Sequence, residues 1–155
     1  MKPVCLVLGA GAGIGGTVAK KFALEGYHSC LCRRSDQEGL DKLIGDIEKA
    51  GGSASGQLLN AIEENAIEEV INKVESEVGP IEVVVYNLGA QTGMKLLSQT
   101  TYKEFEWGWK MASFGLFRVA KVLCPIMVER GKGTILVTSA TAAMRGNATQ
   151  HSHAA

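Results

Sequence analysis

Two apolar patterns alternate along this chain. The runs Val4 to Leu8, His28 to Cys32, Ala54 to Leu59, Ile81 to Tyr86 and Thr134 to Ser139 are short and predict strands. The stretches between them repeat apolar residues every three or four positions, as amphipathic helices do. Val18, Ala19, Phe22 and Ala23 mark a first helix, beginning at Thr17 and stopping near Gly26. Ser35-Asp36-Gln37-Glu38 has the spacing of a capping box and predicts a second helix towards Ala50, ended by Gly51-Gly52. Gly39 and Gly45 should make that helix irregular, each costing about 1 kcal/mol relative to alanine. Ala66, Ile67, Val70, Ile71 and Val74 mark a third helix, closed by Gly79-Pro80. Another capping box, Thr101 to Glu104, starts a long apolar-periodic segment. It runs through Trp109, Met111, Phe114, Phe117 and Val122 to Arg130, with a kink or break expected at Pro125. Trp107 and Trp109 suit either a core or a partner subunit.

Val83-Val84-Val85 is apolar on both sides of the pleat, as in a central strand covered by helices on both faces. Strands alternating with helices, joined by right-handed crossovers, predict an α/β, doubly wound, mostly parallel sheet in the order 3-2-1-4-5. At 155 residues the chain has room for one such domain, over residues 1–155.

Sixteen basic residues balance sixteen acidic ones, so no charge field is available to hold nucleic acid or an anionic membrane. No stretch of about eighteen uninterrupted apolar residues predicts a membrane span. Lys2 before Val4 to Leu8 has the outline of a secretory start, but the apolar run is short and breaks at Gly9. Cys5, Cys30, Cys32 and Cys124 lie inside apolar runs without metal-ligand spacing, and are expected to be buried thiols in a reducing, cytoplasmic setting.

Between the first strand and the first helix stands Gly9-Ala10-Gly11-Ala12-Gly13-Ile14-Gly15-Gly16. A strand, clustered glycines and a helix form the unit that receives a dinucleotide pyrophosphate: the glycines permit a sharp turn, close approach of backbone N–H groups to phosphate, and tight helix packing. The run fits GxxxGxG at Gly9, Gly13 and Gly15, or GxGxxG at Gly11, Gly13 and Gly16; only the first begins directly after the strand. Glycines also collect in plain turns, so the motif alone is weak.

Four segments in order resemble the short-chain dehydrogenases/reductases, which have a Rossmann-type fold. They are the Gly9, Gly13, Gly15 turn, the Arg33-Arg34 strand end, Tyr86-Asn87-Leu88-Gly89 where that family writes Asn-Asn-Ala-Gly, and Gly133-Thr134-Ile135-Leu136-Val137-Thr138-Ser139 before its catalytic serine. The resemblance spans the chain but only the first part of the family's domain, so the family's C-terminal strands are expected to be lacking. It implies an oxidoreductase moving hydride between a nicotinamide and a small-molecule carbonyl or alcohol substrate; the aromatic-rich helical segment 101–130 separately predicts a homo-oligomer interface. The alternative is a catalytically silent dinucleotide-binding or interaction protein. Cofactor contacts are expected from Gly9, Gly11, Gly13, Ile14, Gly15, Arg33, Arg34, Asn60, Asn87 and Gly89. Arg33 and Arg34 stand where an NAD enzyme would carry a carboxylate, and guanidinium groups match a 2′-phosphate, so NADP is favoured over NAD. Asp36 suits the start of the next helix better than a ribose. The family's catalytic Asn, Ser and Tyr fall here at Ala112, Ala140 and His153, and its Lys falls beyond Ala155. Ser139, one residue from the serine position, and His153 are the candidate catalytic groups; on a strand, a one-residue shift points a side chain to the opposite face. His151 and His153 also suit a solvated segment.

Overall fold

The computed structural model describes residues 2–89, 94–146 and 148–149. Five parallel strands form one sheet in the order β3-β2-β1-β4-β5: β1 Val4–Leu8, β2 His28–Arg33, β3 Ser53–Leu58, β4 Ile81–Tyr86 and β5 Thr134–Val137. The expected order is borne out, and the reason is visible in β1. All five of its residues are fully buried, because the strand is central and covered on both faces. Val4, Leu6 and Leu8 face one half of the core with α3 (Ala66–Lys73) and α5 (Gly115–Arg130), through Ile67, Ile71, Val119 and Leu123. Cys5 and Val7 face the other half with α1 (Ile14–Leu24) and α2 (Gln37–Lys49), through Ala19, Leu40 and Ile47.

Several boundaries differ from expectation. Helix α1 begins at Ile14 rather than Thr17, since the last glycines of the turn already take helical geometry. Helix α2 is capped by Asp36, not Ser35: Asp36 sits in the left-handed region at φ 71° and its side chain accepts from Gly39 N. That helix runs unbroken despite Gly39 and Gly45. At Gly39 a Cβ would lie 2.3 Å from Asp36 Oδ2, so glycine is there to admit the cap. Strand β5 stops at Val137, short of Ser139.

The box at Thr101 forms as expected: Thr101 Oγ1 accepts from Glu104 N and Glu104 Oε2 accepts from Thr101 N. It opens α4 (Tyr102–Trp109), which passes through a π-helical segment, Lys110–Phe114, into α5. Pro125 lies inside α5 without breaking it, on an exposed position where water can take the carbonyl the ring leaves unpaired. The register change falls instead at the π segment. A short helix, α6 (Thr141–Arg145), follows β5.

The segment Tyr102–Arg130 is, among the described residues, the one helix long and apolar enough by length and composition to cross a membrane. Here its apolar side packs on the sheet through Met111, Val119, Leu123 and Met127. Arg118, on the same helix, donates Nε and Nη2 to the two oxygens of Glu68 at 2.9 and 2.5 Å and Nη1 to Ala61 O, binding α5 to α3. Of the two tryptophans, Trp107 is packed against the core, whereas Trp109 is 40 % exposed and stacks on Phe114.

Candidate functional site

The turn after β1 divides its glycines by task. Gly9 has φ 95°, and a Cβ there would lie 2.5 Å from Asn87 O. Its amide and that of Ala10 both donate to Cys32 O at 2.9 Å, fastening the turn to the end of β2. At Gly15 a Cβ would be 2.1 Å from Gly9 O, and at Gly16 2.5 Å from Gly11 O, so both let α1 start hard against the turn. Gly11 and Gly13 are different: a Cβ on either meets nothing within 4 Å. Neither register read from the sequence describes this grouping. The packing set is Gly9, Gly15 and Gly16, while Gly11 and Gly13 leave open the space above the N-terminus of α1. That terminus has no side-chain cap and no acidic residue in its first turn, so its backbone N–H groups and dipole are disposed to receive an anion. Ile14, its first residue, is 60 % exposed beside this space.

Beyond the turn, on the β2 side, Arg33 is largely buried and its Nη2 meets Asp36 Oδ2 at 2.9 Å, while Arg34 is exposed. The two arginines therefore differ in freedom: one is aimed by a carboxylate that also offsets its charge. Asn60 at the end of β3 donates Nδ2 to Glu63 at 2.8 Å, and its Oδ1 is buried with no hydrogen-bond partner among the described residues.

On the β4 side, Asn87 donates its carboxamide to Gly9 O, so it ties β4 to the glycine turn. A cavity of about 340 Å³ opens at the carboxyl ends of β4 and β5, lined by Asn87 and Gly89, by Ala112 and Ser113 from the π segment, and by Ser139 and Ala140 beyond β5. Because β5 ends at Val137, strand alternation no longer governs Ser139 and Ala140, and both line the cavity. Ser139 thus shares a wall with the site where the resemblance places its serine. His151 and His153 lie outside the described residues. Ser113 went unnoticed in the sequence because the resemblance, laid on the chain without gaps, points to Ala112 alone; both residues lie in the π segment and both line the cavity.

The buried thiols are chemically quiet. Burial pushes Cys5 and Cys32 up to about 12, so both stay protonated near neutrality, and all four cysteines are free. Cys124 corrects the expectation of four buried thiols: it is exposed, on the solvent side of α5 next to the buried Leu123. Among the described residues no group of three or more His, Cys, Asp or Glu is placed to hold a metal ion.

This arrangement is a doubly wound sheet whose strand order reverses between β1 and β4, with an anion-ready turn at the reversal and a cleft beside it, the place where such sheets bind ligands. The profile described as short chain dehydrogenase matches residues 3–155. The 3-oxoacyl-(acyl-carrier-protein) reductase FabG of Thermotoga maritima is 31 % identical over 154 residues, covering 98 % of this chain and 61 % of the relative. The human 17-beta-hydroxysteroid dehydrogenase 13 is 27 % identical over 143 residues, covering 92 % of this chain and 47 % of the relative. A short-chain dehydrogenase from Rhodopseudomonas palustris superimposes with a TM-score of 0.90 at 34 % identity, over 98 % of this chain and 70 % of that one. An NAD+-bound xylitol dehydrogenase superimposes at 0.89 and 25 % identity, over 98 % and 58 %. The chain spans about half to three fifths of the length of the curated relatives it matches. By profile, sequence and fold together, the chain belongs to the short-chain dehydrogenase/reductase family.

Proposed function

We propose that residues 1–155 form one dinucleotide-binding domain of an NADP(H)-dependent oxidoreductase acting on a small carbonyl or alcohol. The observation that carries this reading is the glycine turn, where Gly11 and Gly13 leave backbone open over the uncapped start of α1. A pyrophosphate fits that cradle, because a Cβ at either position would project into the space the phosphates need. Gly9 and Gly15 hold the cradle's shape, Ile14 flanks it, Asn87 fixes its distance from β4, and Gly89 is assigned to the neighbouring cleft. When bound, the nicotinamide supplies hydride exchange.

Arg33 and Arg34 are the groups for a 2′-phosphate. Arg34 is exposed and Arg33 is oriented by Asp36, so the preference for NADPH comes from two guanidinium groups of which one already has a partner. A charge-assisted contact contributes about 1.5 to 3 kcal/mol, which corresponds to roughly tenfold or more between NADPH and NADH. Asn60 is assigned to the adenine end. Ser139 is assigned to steady the substrate oxygen and His153 to move its proton. Exposed Trp109, Phe114 and Phe117, stacked in sequence along residues 101–130, support a homo-oligomer through that segment. Balanced charge and free thiols support a cytoplasmic protein without nucleic-acid or membrane partners.

A second reading, a silent dinucleotide-binding protein, is favoured by one observation: Ala112 and Ala140 line the cleft where the family carries polar catalytic groups. Calorimetric titration with NADPH and NADH, followed by NADPH oxidation with ketones, aldehydes and quinones, tests both. Binding with turnover supports the oxidoreductase, binding without turnover supports the silent protein, and equal affinity for the two cofactors removes the role given to the arginines.

A further inference from the structure

The long helix changes register where Tyr86 touches it. In a regular α-helix the amide of Gly115 would donate to Met111 O, four residues back. Here that amide donates to Lys110 O and Ala112 O, as the π segment Lys110–Phe114 requires. Met111 O receives instead the hydroxyl of Tyr86, from the last residue of β4, at 2.5 Å. The contact needs the glycine: a Cβ on Gly115 would lie 2.0 Å from the Tyr86 oxygen. Tyr86 is 1 % exposed, and burial raises its phenol, so the hydroxyl keeps the proton it donates. An acceptor that the Gly115 amide passes over, a phenol that reaches it and a glycine that clears the path form one latch. It spans the wall between sheet and helix, and the cleft opens directly beside it.

The latch sets what that wall presents. One residue added to a helix rotates everything before it by about 100° relative to everything after it. Ala112 and Ser113, inside the π segment, both reach the cavity. The position of Tyr86 is also one at which this chain departs from the family's Asn-Asn-Ala-Gly segment.

We propose that Tyr86 is a positioning residue for the cleft: by donating to Met111 O it holds the π turn that brings Ala112 and Ser113 to the wall, and so sets the fit of the nicotinamide half of the cofactor. This rests on the dinucleotide reading above, in which the cofactor crosses the strand-order reversal with its adenosine half over β2 and its other half over β4 and β5.

The test compares two probes on the same protein. NADPH reports on both halves of the site, whereas adenosine 2′,5′-bisphosphate carries the 2′-phosphate and lacks the nicotinamide. Tyr86→Phe should weaken NADPH binding roughly five- to tenfold, the worth of one hydrogen bond, and leave the bisphosphate unchanged. In the same variant, amide exchange at Gly115 should change, because the register it reports is no longer pinned. Ser113→Leu leaves the buried latch untouched and should produce the same selective loss by adding bulk to the wall. Unchanged NADPH affinity in Tyr86→Phe, or equal loss for both probes, overturns the inference while leaving the dinucleotide reading intact. An unmodified chain that binds neither probe overturns the reading, and the inference with it.

Discussion

Asn87 donates its carboxamide to Gly9 O at 3.0 Å, and its own amide donates to Leu8 O at 2.8 Å. One residue at the end of β4 therefore holds both the last residue of β1 and the first glycine of the turn. Asn87→Ala is expected to lower stability by about 1 kcal/mol, because the Gly9 carbonyl loses one of its two donors and keeps only the Gly11 amide. Asn87→Asp should cost more, since a carboxylate donates nothing and faces a carbonyl oxygen. Urea unfolding of the two variants checks the ranking, and the reverse order would show that the side chain is dispensable to the turn.

The glycines should separate by phenotype. Gly15→Ala puts a methyl 2.1 Å from Gly9 O and is expected to destabilise the fold by several kcal/mol, in the range typical of overpacking or worse. Gly11→Ala and Gly13→Ala meet open space, so they should change stability by about 1 kcal/mol or less while weakening NADPH binding at least tenfold. Thermal unfolding and titration calorimetry on the three variants decide this. Retention of affinity in both open-space variants would mean that the turn is purely structural.

Arg118 and Glu68 should govern behaviour in acid. The Arg118 guanidinium, through its hydrogen bonds, holds the Glu68 carboxyl below its usual range. A carboxylate with a depressed folded pKa contributes stability that is present above its unfolded value, about 4.5, and lost as pH falls through the folded one. Arg118→Met removes the partner and leaves Glu68 and Ala61 O wanting donors. The expected cost at neutral pH is about 2 to 3 kcal/mol, less than for a fully buried pair because Glu68 reaches water. The variant's stability should also fall less steeply below pH 4.5. A parallel pH profile for the two proteins would show that the pair is energetically idle.

His28 gives a second, higher pH window. Its Nδ1 lies 2.6 Å from Ser53 Oγ and its Nε2 2.9 Å from Ser55 Oγ, clamping β2 to the outer strand β3. Burial, and then the charge of Lys2, lower its pKa from 6.5. Protonation thus favours the unfolded chain, so this contribution is complete above about pH 6.5 and declines as pH drops through the folded pKa. His28→Gln is expected to flatten the stability profile between pH 7 and pH 5. An unchanged slope in that interval would exclude His28 as its source.

Sheet order and the glycine turn were legible in the sequence because they rest on signals that survive without tertiary context. Those signals are two-sided burial at Val83-Val84-Val85, alternating element lengths, and glycines directly after a strand. The cap of α2 was misread because Asp36 takes a left-handed φ, a cost met only once Arg33 and Gly39 surround it. Pro125 was misread because local propensity cannot tell a solvent-facing carbonyl from a buried one. Cys124 follows the same logic, since an apolar run says nothing of which face an individual thiol takes. The π segment left no periodic trace: five residues are too few to distinguish one added position from ordinary helical scatter. Its causes lie in pairings distant in sequence, Tyr86 with Met111 and Tyr86 with Gly115, so only the folded chain reveals them.

A helix with one surplus residue is also a place where chain length can change without changing the fold. Removing a single residue between Lys110 and Phe114 would let α4 and α5 fuse into one uniform helix, with α5 still seated on Glu68 through Arg118. The seat of α5 would survive such a deletion, whereas α4 would turn by about 100°, and Ala112 and Ser113 would no longer share the cleft wall. In evolutionary terms the segment separates what the scaffold tolerates from what the site requires, and length variants among relatives should gather there when their substrates differ.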